Sequence, residues 1–125
     1  MVERADVVEA SLEDRLVSVC RTAMGDSLRS ITYFTPETYE QVYLRTDLTA
    51  DADLAGSVEH EADGFHTQAA YRDSELGDYH YTVRAFENGF LLRVVGDDHG
   101  VFVTTDGLTI RRSKDVAAGL RDVLA

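Results

Sequence analysis

The chain has 125 residues, 44% of them hydrophobic, and a net charge of −11 from 23 acidic and 12 basic side chains. A domain of this size buries about two-thirds of its surface on folding, enough for one core without staples, and the aliphatic content excludes intrinsic disorder. The acidity excludes general binding to nucleic acid, because no basic patch is present to neutralise phosphates.

The start, Met1-Val2-Glu3-Arg4-Ala5-Asp6, has mixed charge and no apolar h-region, so no signal peptide is expected. No apolar run approaches a membrane span. The single cysteine, Cys20, has no partner for an internal disulfide, which points to a reducing cytoplasm.

From Ala5 to Met24 apolar residues recur at Val8, Leu12, Leu16, Val19 and Ala23, the spacing of one stripe on an amphipathic helix. Gly25-Asp26 stops it at the position of a left-handed cap. Cys20 beside the stripe reads as a small buried hydrophobe before it reads as a reactive thiol. Arg29 to Thr35 and Tyr39 to Arg45 are strand-like and joined by the turn Thr35-Pro36-Glu37-Thr38, which predicts an antiparallel hairpin. Alternation in the second strand puts Val42 and Leu44 on one face and Tyr39, Gln41, Tyr43 and Arg45 on the other.

Thr46-Asp47-Leu48-Thr49 offers helix caps, and Leu54, Val58, Phe65 and Ala69, with Ala62, repeat at helical spacing. Gly56 and Gly64 weaken this second helix by about 1 kcal/mol each relative to alanine. Arg72 to Asp78 reads as a loop. Tyr79 to Glu87 and Phe90 to Val95 flank Asn88-Gly89, a pair suited to the positive φ angles of a type I′ hairpin turn. Gly96-Asp97-Asp98-His99-Gly100 then leads into Val101 to Thr105. After Asp106-Gly107, Leu108-Thr109-Ile110 reads as a short strand. Ser113 is the predicted cap of a last helix with Val116, Leu120, Val123 and Leu124 on its apolar side.

The order α-β-β-α-β-β-β-α predicts one α+β domain over residues 1–125, an antiparallel five-stranded sheet with helices packed on it. A central helix that separates two strands from three resembles the roadblock/LC7 and profilin-like layout. Of the 12 bases only Lys114 is a lysine, and the Asp-rich, Lys-poor balance resembles the proteomes of extremely halophilic archaea. There, high negative charge keeps the surface hydrated while salt screens its self-repulsion. Two stretches, Tyr39-Glu40-Gln41-Val42-Tyr43-Leu44-Arg45-Thr46-Asp47-Leu48 and Arg84-Ala85-Phe86-Glu87-Asn88-Gly89-Phe90, also resemble small uncharacterised acidic proteins of haloarchaea.

Chemistry-bearing patterns are sparse. His60 and His66 are six residues apart, about 120° from a shared helical face, and do not have zinc-ligand spacing. Asp97-Asp98-His99 lacks the ligand pattern of a calcium loop. No Gly-x-Ser-x-Gly elbow and no Gly-x-x-x-x-Gly-Lys loop occurs. No catalytic, cofactor-binding or metal residue is therefore assigned, and no enzymatic activity or cofactor is expected.

The candidate interface is Tyr33, Tyr39, Tyr43, Arg45, Tyr81, Arg84 and Arg93, since tyrosine and arginine on strands are enriched at protein contacts. The plain alternative is cross-strand packing of the tyrosines and pairing of the arginines with surface acids. The leading functional reading is a non-enzymatic interaction or regulatory module, homodimeric through a helix or a sheet edge, with a further protein as partner. The roadblock resemblance implies a scaffold or regulator of small GTPases. The second reading is a small-molecule sensor of profilin-like or PAS-like type, with a pocket lined by Phe34, Tyr43, Phe65 and Phe86.

Overall fold

A computed structural model of the protein describes residues 2–49, 58, 61 and 74–125. In chain order these form β1 (Glu3–Arg4), α1 (Ala10–Met24), a 3₁₀ turn (Gly25–Ser27), β2 (Leu28–Phe34), β3 (Thr38–Leu44), β4 (Thr82–Phe86), β5 (Gly89–Val95), β6 (Gly100–Thr105) and α2 (Ile110–Leu124). The strands make one six-stranded sheet in the order β1-β3-β2-β6-β5-β4. Val58 and Glu61 are helical. The rest of the predicted middle helix, including Leu54, Phe65 and Ala69, lies outside the described residues, as do His60 and His66.

The α+β class holds, but the expectation of five antiparallel strands does not. The sixth strand, β1, pairs in parallel with β3 through Glu3↔Thr38 and Arg4↔Tyr39. Two residues are too few for alternation to register in a sequence, so the segment merged with the helical pattern that follows it. The first helix accordingly begins at Ala10, not Ala5.

Helix α1 buries Leu16, Cys20 and Met24, one residue per turn on a single side. It ends at Gly25, whose φ of 55° is left-handed and whose N–H returns to the Arg21 carbonyl. Glycine meets that φ without the Cβ penalty. Helix α2 starts one turn earlier than the sequence predicts. Thr109, not Ser113, is its cap: the threonine Oγ1 accepts the Arg112 N–H at 3.1 Å. Ser113 sits inside the first turn, donating its hydroxyl to the Thr109 carbonyl at 2.8 Å. Leu108–Ile110 is therefore not a strand. A start at Ile110 leaves Val116, Leu120, Val123 and Leu124 buried on one side, as the apolar spacing requires.

The sheet separates two apolar clusters. Both helices pack on one face, where Leu16, Cys20 and Leu120 meet Ile31, Leu92, Val94, Val101 and Val103. On the other face Phe34, Leu91 and Phe102 pack with Val58 of the middle helix. Central strands buried on both faces have no polar face to show, which is why Val101-Phe102-Val103 reads as a continuous apolar run. Gly100 makes this packing fit, since a Cβ there would lie 2.7 Å from the Phe34 ring and 2.6 Å from Val95 Cγ1.

The β2–β3 and β4–β5 registers depart from the expected pattern. Ile31 opposes Tyr43 while Thr32 opposes Gln41, so Val42 is an extra, bulged residue. The bulge lets Val42 and Tyr43 both pack on the helix-side cluster, where strict alternation would separate them. In the β4–β5 hairpin Phe86 pairs with Gly89, which makes Glu87-Asn88 the two-residue turn. Gly89 is instead the first residue of β5, where a Cβ would lie 2.7 Å from the Thr105 carbonyl oxygen.

Candidate interaction surface

The seven candidate residues do not form one patch. Tyr33 is interior, 9% exposed in the helix-side cluster. Its hydroxyl lies 2.9 Å from His99 Nδ1, and His99 Nε2 lies 2.9 Å from the Leu124 carbonyl oxygen. A carbonyl only accepts, so the network assigns the proton to Nε2 and makes Nδ1 the acceptor for the Tyr33 hydroxyl. His99 thus ties the β5–β6 turn to the end of α2. Burial, with Asp98 nearby, holds the Tyr33 hydroxyl above the ordinary tyrosine range. Tyr43 and Tyr81 also pack toward the helix face, whereas Tyr39 packs against the Phe34 cluster on the opposite one.

The described members of the expected sensor-type pocket do not share one face of the sheet. Phe34 is buried on the second face, Tyr43 lies on the first and Phe86 is exposed at the sheet edge; Phe65 lies outside the described residues. A hollow of about 570 Å³ between the helices is open and lined by Ser18, Val19, Thr22, Ala23, Arg112 and Asp115. It shares no residue with the expected pocket.

Arg84 and Arg93 do come together, on a third residue that sequence reasoning passed over. Glu61 is 1% exposed and receives Arg84 Nε at 3.0 Å and Nη2 at 3.3 Å. Arg93, 4% exposed, donates Nη2 to the Glu61 backbone carbonyl at 3.2 Å. Its Nε stands 3.2 Å from Glu61 Oε1, yet that N–H is not aimed at any acceptor. The carboxylate bonds push the Arg84 guanidinium further up. Glu61 lies three residues after Val58, on the stripe the helical spacing predicts for burial. An acid on that stripe was the available signal for a buried ion pair. The result is a clamp from the middle helix onto β4 and β5.

Arg45 belongs to a separate corner. It donates to Asp106 at 2.6 Å and to Asp47 at 2.7 Å, and to the Asp26 carbonyl at 3.0 Å. Arg29 adds a longer contact to Asp106 at 3.4 Å. The Arg45 hydrogen bond, helped by Arg29, holds the Asp106 carboxyl below the ordinary aspartate range. Arg45 therefore fastens the loops at one end of the sheet.

Among the described residues, one surface open to contact with another molecule is the β4 edge of the sheet. Among the described residues β4 pairs only with β5. Val83 opposes Leu92 and so belongs to the helix side of the sheet, where it is 38% exposed; Phe86, on the other side, is 59% exposed. An edge with open backbone groups and an apolar side chain on each face is a template for strand pairing. Residues 79–86 contain no acid in a molecule of net charge −11. At the other end of the sheet, β1 covers the outer side of β3 at Thr38 and Tyr39.

Comparison with known proteins places this architecture. The gliding protein mglB from Thermus thermophilus superposes with a TM-score of 0.61 at 16% identity, over 98% of each chain. An MglB with tetrameric arrangement gives 0.56 at 14% identity, over 98% of this chain and 100% of that one. MglB of Myxococcus xanthus gives 0.53 at 9% identity, over 97% and 98% of the two chains. The likeness is one of fold, and the fold is roadblock-like. No curated protein matches the sequence. A family model described as Domain of unknown function (DUF7522) matches residues 14–125. Among the described residues no helix is long and apolar enough to cross a membrane.

Proposed function

The chain belongs to the DUF7522 family, and for this member we propose a non-enzymatic interaction module of regulatory type, homodimeric through β4. The observation that carries the reading is the β4 edge, which among the described residues pairs only with β5 and exposes Val83 and Phe86 on its two sides. A two-fold axis through that edge brings β4 of two copies together antiparallel and makes one continuous sheet, the self-complementary geometry of an isologous dimer. Glu61 neutralises Arg84 on the same strand, so the edge that meets its copy carries little net charge. The acid-free stretch 79–86 is where two strongly acidic molecules repel least.

The regulatory part rests on the roadblock-like fold, whose resemblance implies a scaffold or regulator acting on a protein partner of the small GTPase kind. The Asp-rich, Lys-poor surface fits work in a salt-rich cytoplasm. The test is the solution mass in multi-molar KCl, by light scattering after size exclusion. A species near twice 13.9 kDa is expected for the native chain, and a monomer for Val83→Lys with Phe86→Lys. A native monomer at micromolar concentration would overturn the reading.

A further inference from the structure

The outer side of β3 holds a segment that pairs with it as a strand over only two residues. Glu3 N–H donates to the Glu37 carbonyl and Ala5 N–H to the Tyr39 carbonyl, each at 2.9 Å. The Val7 and Val8 N–H groups both donate to Oε1 of Glu40, at 2.9 and 3.0 Å. Val2 packs against the Phe34 cluster, and the Arg4 guanidinium lies 5.7 Å from the centroid of the Tyr39 ring. Glu3, Arg4 and Val7 are exposed. Residues 2–8 thus lie along β3 as a strap.

Seen from β3, these contacts describe a receptor for an extended chain. Two carbonyls two residues apart accept a parallel strand, one carboxylate collects two consecutive N–H groups, and an apolar notch takes one side chain. Each of these hydrogen bonds uses a backbone N–H of the strap, as in recognition by strand addition. A pairing only two residues long is far below the usual strand.

We propose that the outer edge of β3 is a strand-docking site with an exchangeable occupant: residues 2–8 fill it in cis, and the same segment of a second copy fills it in trans. The seated segment identifies what the site accepts, and a copy arriving from another molecule makes the same bonds. Glu9 alone separates the Val8 anchor from Ala10, the start of α1, and its side chain makes no capping bond. Exchange of an identical element between protomers is a low-cost route to association. The site is at the opposite end of the sheet from β4, so it does not depend on how β4 is used.

The test uses the full chain and a fluorescent peptide of residues 2–9, with anisotropy read in multi-molar KCl. Val2→Asp unseats the strap and leaves the receptor intact; Glu40→Ala loosens the strap and damages the receptor. Amide hydrogen exchange at Val7 and Val8 reports release in each variant. The expected result is faster exchange in both. Peptide binding to Val2→Asp is expected to be about tenfold tighter than to the native chain, with little gain for Glu40→Ala. Unchanged protection of Val7 and Val8 in Val2→Asp overturns the proposal. So does peptide binding no tighter than native, or equal binding by Glu40→Ala. If Val2→Asp fails to fold by circular dichroism, Val2→Ser carries the same readouts.

Discussion

Glu61 and Arg93 face each other 3.2 Å apart in the interior, with side chains 1% and 5% exposed. Charges removed from water this far are tolerated only as a pair, and loss of one partner strands the other. Glu61→Ala is therefore expected to cost about 3–5 kcal/mol. Arg84→Ala, at a residue with 39% side-chain exposure, should cost about 1 kcal/mol or less. Urea unfolding at fixed salt measures both. A loss below about 1 kcal/mol for Glu61→Ala would mean that the clamp contributes nothing net.

The Asp106 corner gives a pH signature. The folded-state pKa of Asp106 is depressed by its Arg45 hydrogen bond, so its stabilising contribution is present above the ordinary aspartate pKa of about 3.9. That contribution is lost as pH falls through the lower folded value. Thermal unfolding of the native chain should weaken on acidification below about pH 4. The Asp106→Asn variant should start less stable and lose less over the same interval. Parallel curves for the two proteins would exclude the corner as a source of acid sensitivity.

Burial pushes the Cys20 thiol up to about 12, which keeps it protonated in the fold at neutral pH. Only a thiolate attacks disulfide reagents at useful rates. Cys20 should therefore be inert to a chromogenic disulfide at pH 8 and react fully in denaturant. A raised folded pKa contributes stability below the ordinary thiol value of about 8.5, and that contribution falls away as pH climbs toward the folded value. Prompt native-state labelling would show that the helix-side cluster opens readily.

A net charge of −11 repels itself most at low ionic strength. The screening length falls from about 10 Å at 0.1 M salt to about 3 Å at 1 M. Melting temperature should rise steadily as KCl increases across that range, and potassium chloride should act alike to sodium chloride if screening is the cause. A flat profile would remove the surface charge from the account of stability.

The sequence carried the long elements well, because their periods are strong. The spacing of Val8, Leu12, Leu16, Val19 and Ala23 marked α1, although the residues it buries are Leu16, Cys20 and Met24, and the stripe Val116, Leu120, Val123 and Leu124 specified both α2 and its buried side. The parts it did not carry depend on single residues. One inserted residue at Val42 moves Tyr43 relative to Tyr39, and so the tyrosines divide between faces. The choice of Thr109 over Ser113 as cap turns on one hydroxyl within four residues of another. Glu61 was concealed by its charge: an acid on a buried stripe is legible only once the strands that bring Arg84 and Arg93 to it are known. His99 likewise gains its role from Tyr33, 66 residues away, and from the end of α2.

The central pair of the sheet has a consequence for how the chain is made. Ser30 on β2 meets Thr104 on β6 in a buried hydroxyl contact spanning 74 positions of sequence, and β2 has no other partner on that side. A ribosome delivering this protein releases α1, β2 and β3 long before β6 and α2 exist, leaving Ile31 and Phe34 without most of their eventual neighbours. Closing so long a loop slows folding relative to local pairing, and an uncovered strand is sticky while it waits. The strongly acidic surface then acts during synthesis as well as afterwards, holding half-made copies apart until the last strand arrives to complete the middle of the sheet.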